Sequence, residues 1–179
     1  MFVNWPGAAK GALMRAAAST QPFGVFFYMS SSGEIAIAIP LNVWQDPQGD
    51  VVLRHSREHC VIFFGCWSDV GTPAAYVGQV TFQHAWAVRG VRVEWHGYDI
   101  ASTNSRSSIL SIENSGWLSQ LTEQRRKLYP NWNVRNADEY LHYVVSGHDN
   151  YYEIIATGFE ETTVSLADAG ELAYLIDQA

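Results

Sequence analysis

Residues 75–99, AYVGQVTFQHAWAVRGVRVEWHGYD, decide the fold class. Val80, Phe82, His84, Trp86 and Val88 alternate with Thr81, Gln83, Ala85 and Ala87, the period of two that a half-buried strand requires. The alternation resumes after Arg89-Gly90, with Val91, Val93 and Trp95 set against Arg92, Glu94 and His96. A two-residue turn at Arg89-Gly90 pairs Val88 with Val91, Trp86 with Val93 and His84 with Trp95, all on one face. The stretch therefore reads as a long antiparallel hairpin in a strand-rich protein.

Similar signals recur outward from it. Residues 24–29 (GVFFYM) and 34–39 (EIAIAI) read as strands separated by Ser30-Ser31-Ser32-Gly33. Residues 42–50 (NVWQDPQGD) form a loop, and residues 51–55 and 59–66 a further strand pair before the break at Gly71-Thr72-Pro73. Residues 139–147 and 151–159 make a second hairpin around His148-Asp149-Asn150, its last strand able to run on to Val164. A helix is expected over residues 115–129, striped by Trp117, Leu118, Leu121 and Leu128 and ended by Pro130. Another is expected over residues 165–176, where Ser165 and Asp168 make a capping start.

The basic, acid-free N-terminal segment carries Lys10 and Arg15, as transit peptides do. Its Pro6, Ala8, Ala9, Ala12, Leu13 and Ala16 fit equally an ordinary packed helix. The expectation is one domain over residues 1–179. It is mainly β (a β-rich α+β chain), with about eight largely antiparallel strands as a barrel or two-sheet sandwich and about three helices.

Composition narrows the function classes. Of the 179 residues 47% are hydrophobic and 13% aromatic, the signature of a packed globular chain and not of a disordered one. The net charge of −7 argues against a nucleic-acid partner, because phosphate affinity comes mainly from Lys and Arg. The basic run Arg125-Arg126-Lys127 falls in the last turn of the expected helix, where cations complement the dipole. No run of about 18 apolar residues is present to span a membrane. Cys60 and Cys66 share one strand-like run and stand roughly 20 Å apart if it is extended, too far for a bridge. They read as buried thiols, which fits a reducing, cytoplasmic setting.

His55-Ser56-Arg57-Glu58-His59 matches H-x-x-E-H and resembles the signature of the inverzincins. On a helix, the resemblance implies zinc held by His55 and His59, with Glu58 taking a proton from metal-bound water. It also requires a remote carboxylate, for which Glu113, Glu123 and Glu139 are equally available. The flanks VVLR and CVIFFGC favour strands, so the simplest local reading of Ser56-Arg57 is the turn of a strand pair.

The second hairpin offers another candidate. With Asp149-Asn150 as its turn, Ser146 opposes Glu153. His142, Ser146, His148, Tyr151 and Glu153 then share one face, a ligand-binding patch or a solvated face, while Leu141, Tyr143, Val145, Ile154 and Ala156 form the core side. His84 reads as a core histidine opposite Trp95, and His96 as exposed. The Ser-rich stretch before Arg106 lacks the glycine pattern of a phosphate loop, and no G-x-S-x-G elbow occurs.

The reading that remains is a non-enzymatic module binding a small molecule or a protein, with no cofactor. Trp44, Trp67, Trp117 and Trp132 lie near element ends, where aromatics serve recognition. The alternative is a zinc-dependent hydrolase at 55–59. A homo-oligomer paired through an open strand edge is a third possibility.

Overall fold

The computed structural model describes residues 33–57, 59–93, 96–98, 100, 106–131 and 139–170. They form nine strands and two helices: β1 (Ile35–Pro40), β2 (Val51–His55), β3 (Cys60–Asp69), β4 (Thr72–Gln83), β5 (Ala87–Val91), β6 (Ser108–Glu113), α1 (Gly116–Leu128), β7 (Leu141–Ser146), β8 (Tyr151–Ala156), β9 (Gly158–Ser165) and α2 (Leu166–Ala169). The expected N-terminal helix and the strand at 24–29 lie outside the described residues, as do Glu58, Trp95 and Trp132.

Two antiparallel sheets form, β1-β6-β7-β8-β5 and β2-β3-β4-β9. Of the two expected architectures, the chain adopts the sandwich. Val51, Cys60, Ile62, Phe64, Val80 and Phe82 from the four-stranded sheet meet Ile109, Tyr143, Val145, Ile154 and Ala156 from the five-stranded one in a shared core. These are the alternate residues of their strands, as face-to-face packing of two pleated sheets demands. Gly78 belongs to this packing. A Cβ there would stand 2.1 Å from the Phe64 ring across the β3–β4 pair, so the ring occupies the space a side chain would fill.

The long hairpin at 75–99 does not form. β4 pairs with β3 and β9, while β5 pairs with β8 in the other sheet. Arg89 and Gly90 sit within β5, opposite Glu153 and Tyr152. The chain leaves the four-stranded sheet at His84, whose φ of 49° lies in the left-handed region. It enters the five-stranded sheet through the Trp86 N–H, which donates to the Ile155 carbonyl at 2.7 Å. Thr157, between β8 and β9, makes the reverse crossing beside it and donates its N–H to the Gln83 carbonyl at 3.0 Å. The two strands thus turn one corner of the sandwich together. Alternation gives which residues face inward, but it is silent on which strand lies alongside, and a distant strand outcompeted the local turn. Gly90 marks a close approach: a Cβ there would stand 2.6 Å from the Tyr152 ring.

The second hairpin forms, with its register shifted by two residues: Ser146 faces Tyr151 and Val144 faces Glu153. A shift of two preserves the faces. The turn is pinned to β2, since Asn150 Oδ1 accepts from the Val51 N–H (3.1 Å) and Asn150 Nδ2 donates to the Val51 carbonyl (2.9 Å). Asn150 therefore joins the two sheets as well as shaping its turn.

Ser115 caps α1, accepting the Leu118 N–H at 3.0 Å, and Arg125, Arg126 and Lys127 fill its last turn. The expected stripe is only partly covered, and Leu128 is 74% exposed. Leu141, placed on the core side by alternation, is also exposed at its strand end. Ser165 caps α2 as expected, accepting the Asp168 N–H at 3.2 Å. The remainder of that expected helix lies outside the described residues. Among the described residues, no helix is long and apolar enough to cross a membrane. Cys60 and Cys66 both lie buried and unbridged on β3.

Candidate functional site

The outer face of the β7–β8 hairpin, expected as a patch or a solvated surface, is covered. His142 is 1% and Glu153 2% exposed. The start of α1 and Tyr98 close over them: the Trp117 ring meets the His142 ring edge-on at 5.2 Å, and Tyr98 does so at 5.9 Å. Beneath, one chain of hydrogen bonds runs from the helix cap to the far strand. Ser115 Oγ lies 2.8 Å from His142 Nδ1, and His142 Nε2 lies 3.1 Å from Glu153 Oε2. Arg89 on β5 closes an ion pair on the same carboxylate oxygen and stacks its guanidinium 4.3 Å from the Trp117 ring centre.

A carboxylate accepts only, so Nε2 carries hydrogen; in the neutral ring Nδ1 then accepts from the Ser115 hydroxyl. The sequence of groups is that of a serine–histidine–carboxylate relay. Yet Ser115 is 5% exposed and its oxygen already caps the helix. The arrangement clasps α1 to the sheet. Burial and the neighbouring carboxylates Glu153 and Glu34 push the Tyr98 hydroxyl well above its ordinary range, so it stays protonated against Arg89.

The five expected hairpin residues therefore divide. His142 and Glu153 join inside the clasp. Tyr151 is half-buried against His96, 6.1 Å between ring centres, and burial holds His96 below its usual titration range. His96 is thus half-buried where exposure was expected. Ser146 lines a separate groove of about 230 Å³ with Gln45, Asp46 and Arg106. His148 is exposed and pairs with Asp149 at 2.7 Å. Of the tryptophans, Trp44 and Trp67 pack edge to face at 5.4 Å under Arg106, and Trp117 covers His142. All three are half-buried.

The described residues of the H-x-x-E-H motif, His55, Ser56, Arg57 and His59, lie at the β2–β3 turn. His55 ends β2, the Ser56 N–H donates to the His59 carbonyl at 2.7 Å, and His55 pairs with Cys60 across the hairpin. The helix that zinc ligation by this motif requires is not the conformation adopted. Glu58 lies outside the described residues. Among the described residues, no three or more His, Cys, Asp or Glu side chains gather closely enough to hold a metal ion.

His55 and His59 nonetheless share a cleft. About 450 Å³ in volume, it opens at the end of the four-stranded sheet between the β2–β3 turn and the corner where β4 leaves. Ser56, Arg57, Thr81, Gln83 and His84 contribute polar groups, and Cys60, Phe82 and Ala85 apolar surface. His84 is exposed here, where the hairpin reading buried it against Trp95. Its Nδ1 lies 3.1 Å from Thr157 Oγ1. The Thr157 hydroxyl gives its hydrogen to the Gln83 carbonyl (3.2 Å), so it accepts from His84, whose Nδ1 therefore carries hydrogen. Burial pushes the Cys60 thiol up to about 11, leaving it protonated and unreactive at neutral pH.

Sequence reasoning found His55 and His59 through their motif. It missed His84 in this role, because that residue reaches the cleft only through the change of sheet. Comparison of the chain with known protein families, with curated proteins and with solved structures found no match.

Proposed function

We propose that this protein is a non-enzymatic binding module that takes a small molecule in the cleft between the β2–β3 turn and the His84 corner. The observation that carries this reading is the cleft itself. Its volume of about 450 Å³ falls in the range of small-ligand sites, with apolar surface beneath a ring of convergent polar groups. The groove beside Ser146 is about half that size. Among the described residues no group of three or more His, Cys, Asp or Glu side chains gathers at the cleft to hold a metal ion, and burial keeps the Cys60 thiol protonated. The zinc-hydrolase reading of the same histidines draws no support from a hairpin turn.

The test is a titration of histidine-labelled protein with a set of aromatic, sugar and carboxylate fragments, followed by NMR of the imidazole carbons. Saturable shifts confined to His55, His59 and His84, with His142 unmoved, are the expected result. Absence of saturable shifts at the three cleft histidines overturns the reading.

A further inference from the structure

We infer a second binding groove, at the side of the sandwich where the end of β5 meets the start of β2, that takes a small zwitterion. Its ligand carries one ammonium and one carboxylate on a single body, the chemistry of a free α-amino acid. The groove shares no residue with the cleft at the β2–β3 turn and does not depend on it. β5 is an edge strand of the five-stranded sheet and β2 an edge strand of the four-stranded one. Between them a space of about 380 Å³ is lined by Asp50, Gly90, Val91, Arg92, Asn150 and Tyr152. None of these residues is buried, so each has surface to offer a ligand.

A glycine builds one wall. Gly90 and Tyr152 are direct partners across the β5–β8 pair, two residues from Val88 and Ile154, which face the core. With no Cβ at position 90, the Tyr152 ring lies across β5. The place a Cβ would take is 2.6 Å from one ring carbon and 3.7 Å from the carbon that bears the hydroxyl. A glycine inside a strand marks such a close approach. Among the described residues the Tyr152 hydroxyl has no hydrogen-bond partner, although phenols set against a core usually find one.

Opposite charges stand in the same groove. Asp50 comes from the loop that leads into β2, and one of its carboxylate oxygens accepts the Asp149 N–H at 2.8 Å. Asn150 beside it is spent at both ends of its amide on Val51, so this lip is held in place. Arg92 follows directly on β5. Among the described residues its guanidinium makes no ion pair, with Asp50 or with any other carboxylate. Asp149, the other acid at this turn, is engaged by His148 at 2.7 Å and does not line the groove. A carboxylate and a guanidinium that share a groove without pairing match the two ends of one zwitterion. The ammonium donates to Asp50, and the ligand carboxylate accepts the forked N–H groups of Arg92. A ligand with one charge leaves the opposite group unmatched.

Glycine and phenylalanine are the probes, each as the free amino acid, as its N-acetyl form without the ammonium and as its amide without the carboxylate. Each is titrated at neutral pH into the full chain, with NMR reading the Gly90 amide and the Tyr152 ring. For at least one of the two bodies, the free amino acid should move both signals saturably and bind about tenfold or more tightly than its N-acetyl and amide forms. In Arg92→Ala, which removes an exposed side chain, the free amino acid should weaken to the level of its amide form, whose own binding stays unchanged. The inference is overturned if neither body moves the two signals. It is overturned equally if a one-charge form of each body binds as tightly as the zwitterion, or if Arg92→Ala leaves the preference intact. The histidines at 55, 59 and 84 report separately on the other cleft, so the two readings stand or fall independently.

Discussion

Replacing Glu153 with Gln tests whether the buried clasp holds α1 to the sheet. One carboxylate oxygen accepts from Arg89 and from His142 Nε2. The substitution keeps shape and volume but removes the charge. Hydrogen bonds to a charged group contribute about 1.5–3 kcal/mol against about 1 kcal/mol for neutral ones, so the Arg89 contact alone loses about 1 kcal/mol. The amide keeps its carbonyl oxygen where both donors point and puts its N–H groups in place of the other carboxylate oxygen, where a buried N–H left unmatched costs about 1–3 kcal/mol. Breaking a fully buried pair costs about 3–5 kcal/mol, but the Arg89 side chain is 27% exposed and water recovers part of its solvation. The expected loss is about 2–3 kcal/mol. In urea, at a slope of about 1.5–2 kcal/mol/M, the midpoint falls by about 1–2 M with the slope unchanged. A double-mutant cycle with Arg89→Met should return a coupling of about 1–2 kcal/mol. A loss below about 1 kcal/mol, or coupling near zero, refutes the claim that these groups act as one clasp.

Two further predictions test the core. Gly78→Ala drives a methyl group into the Phe64 ring and should cost about 1–3 kcal/mol, part of it recovered by adding Phe64→Leu; thermal unfolding of the single and double variants checks this. Burial raises the thiols of Cys60 and Cys66 from 9.0 to about 11. Because the folded chain then holds these protons more tightly than the unfolded one, the stability they contribute is present below pH 9 and lost as the pH climbs toward 11. Tyr98 and Tyr143, raised by burial as well, add to the same alkaline loss. Urea midpoints should therefore decline between pH 9 and 11, and less steeply in the Cys60→Ala/Cys66→Ala variant; a flat profile contradicts the assignment.

Period-two alternation, turn residues and caps were enough to determine a strand-rich antiparallel chain. They also located β1, β2, β3, β7 and β8, the start of α1 near Ser115, the Ser165 cap and the turn at Ser56-Arg57. Each of these rests on neighbours within a few residues, where backbone propensity and side-chain chemistry act directly. Partner choice was decided elsewhere. Residues 80–91 satisfy a local hairpin and a pair of distant strands equally well by pattern. Packing of Tyr152 over Gly90 accompanies the distant pairing of β5 with β8.

The same limit governed both sites. His142 and Glu153 were visible as a polar pair on one face, but alternation cannot reveal that α1 returns to bury that face. His55 and His59 were visible as a motif, while His84 joins them because two strands change sheets at one corner. Local sequence determined which residues form strands and caps, since those interactions span a turn or two. Only the tertiary structure decided which faces were buried and which histidines met, because burial and convergence depend on elements far apart in the chain.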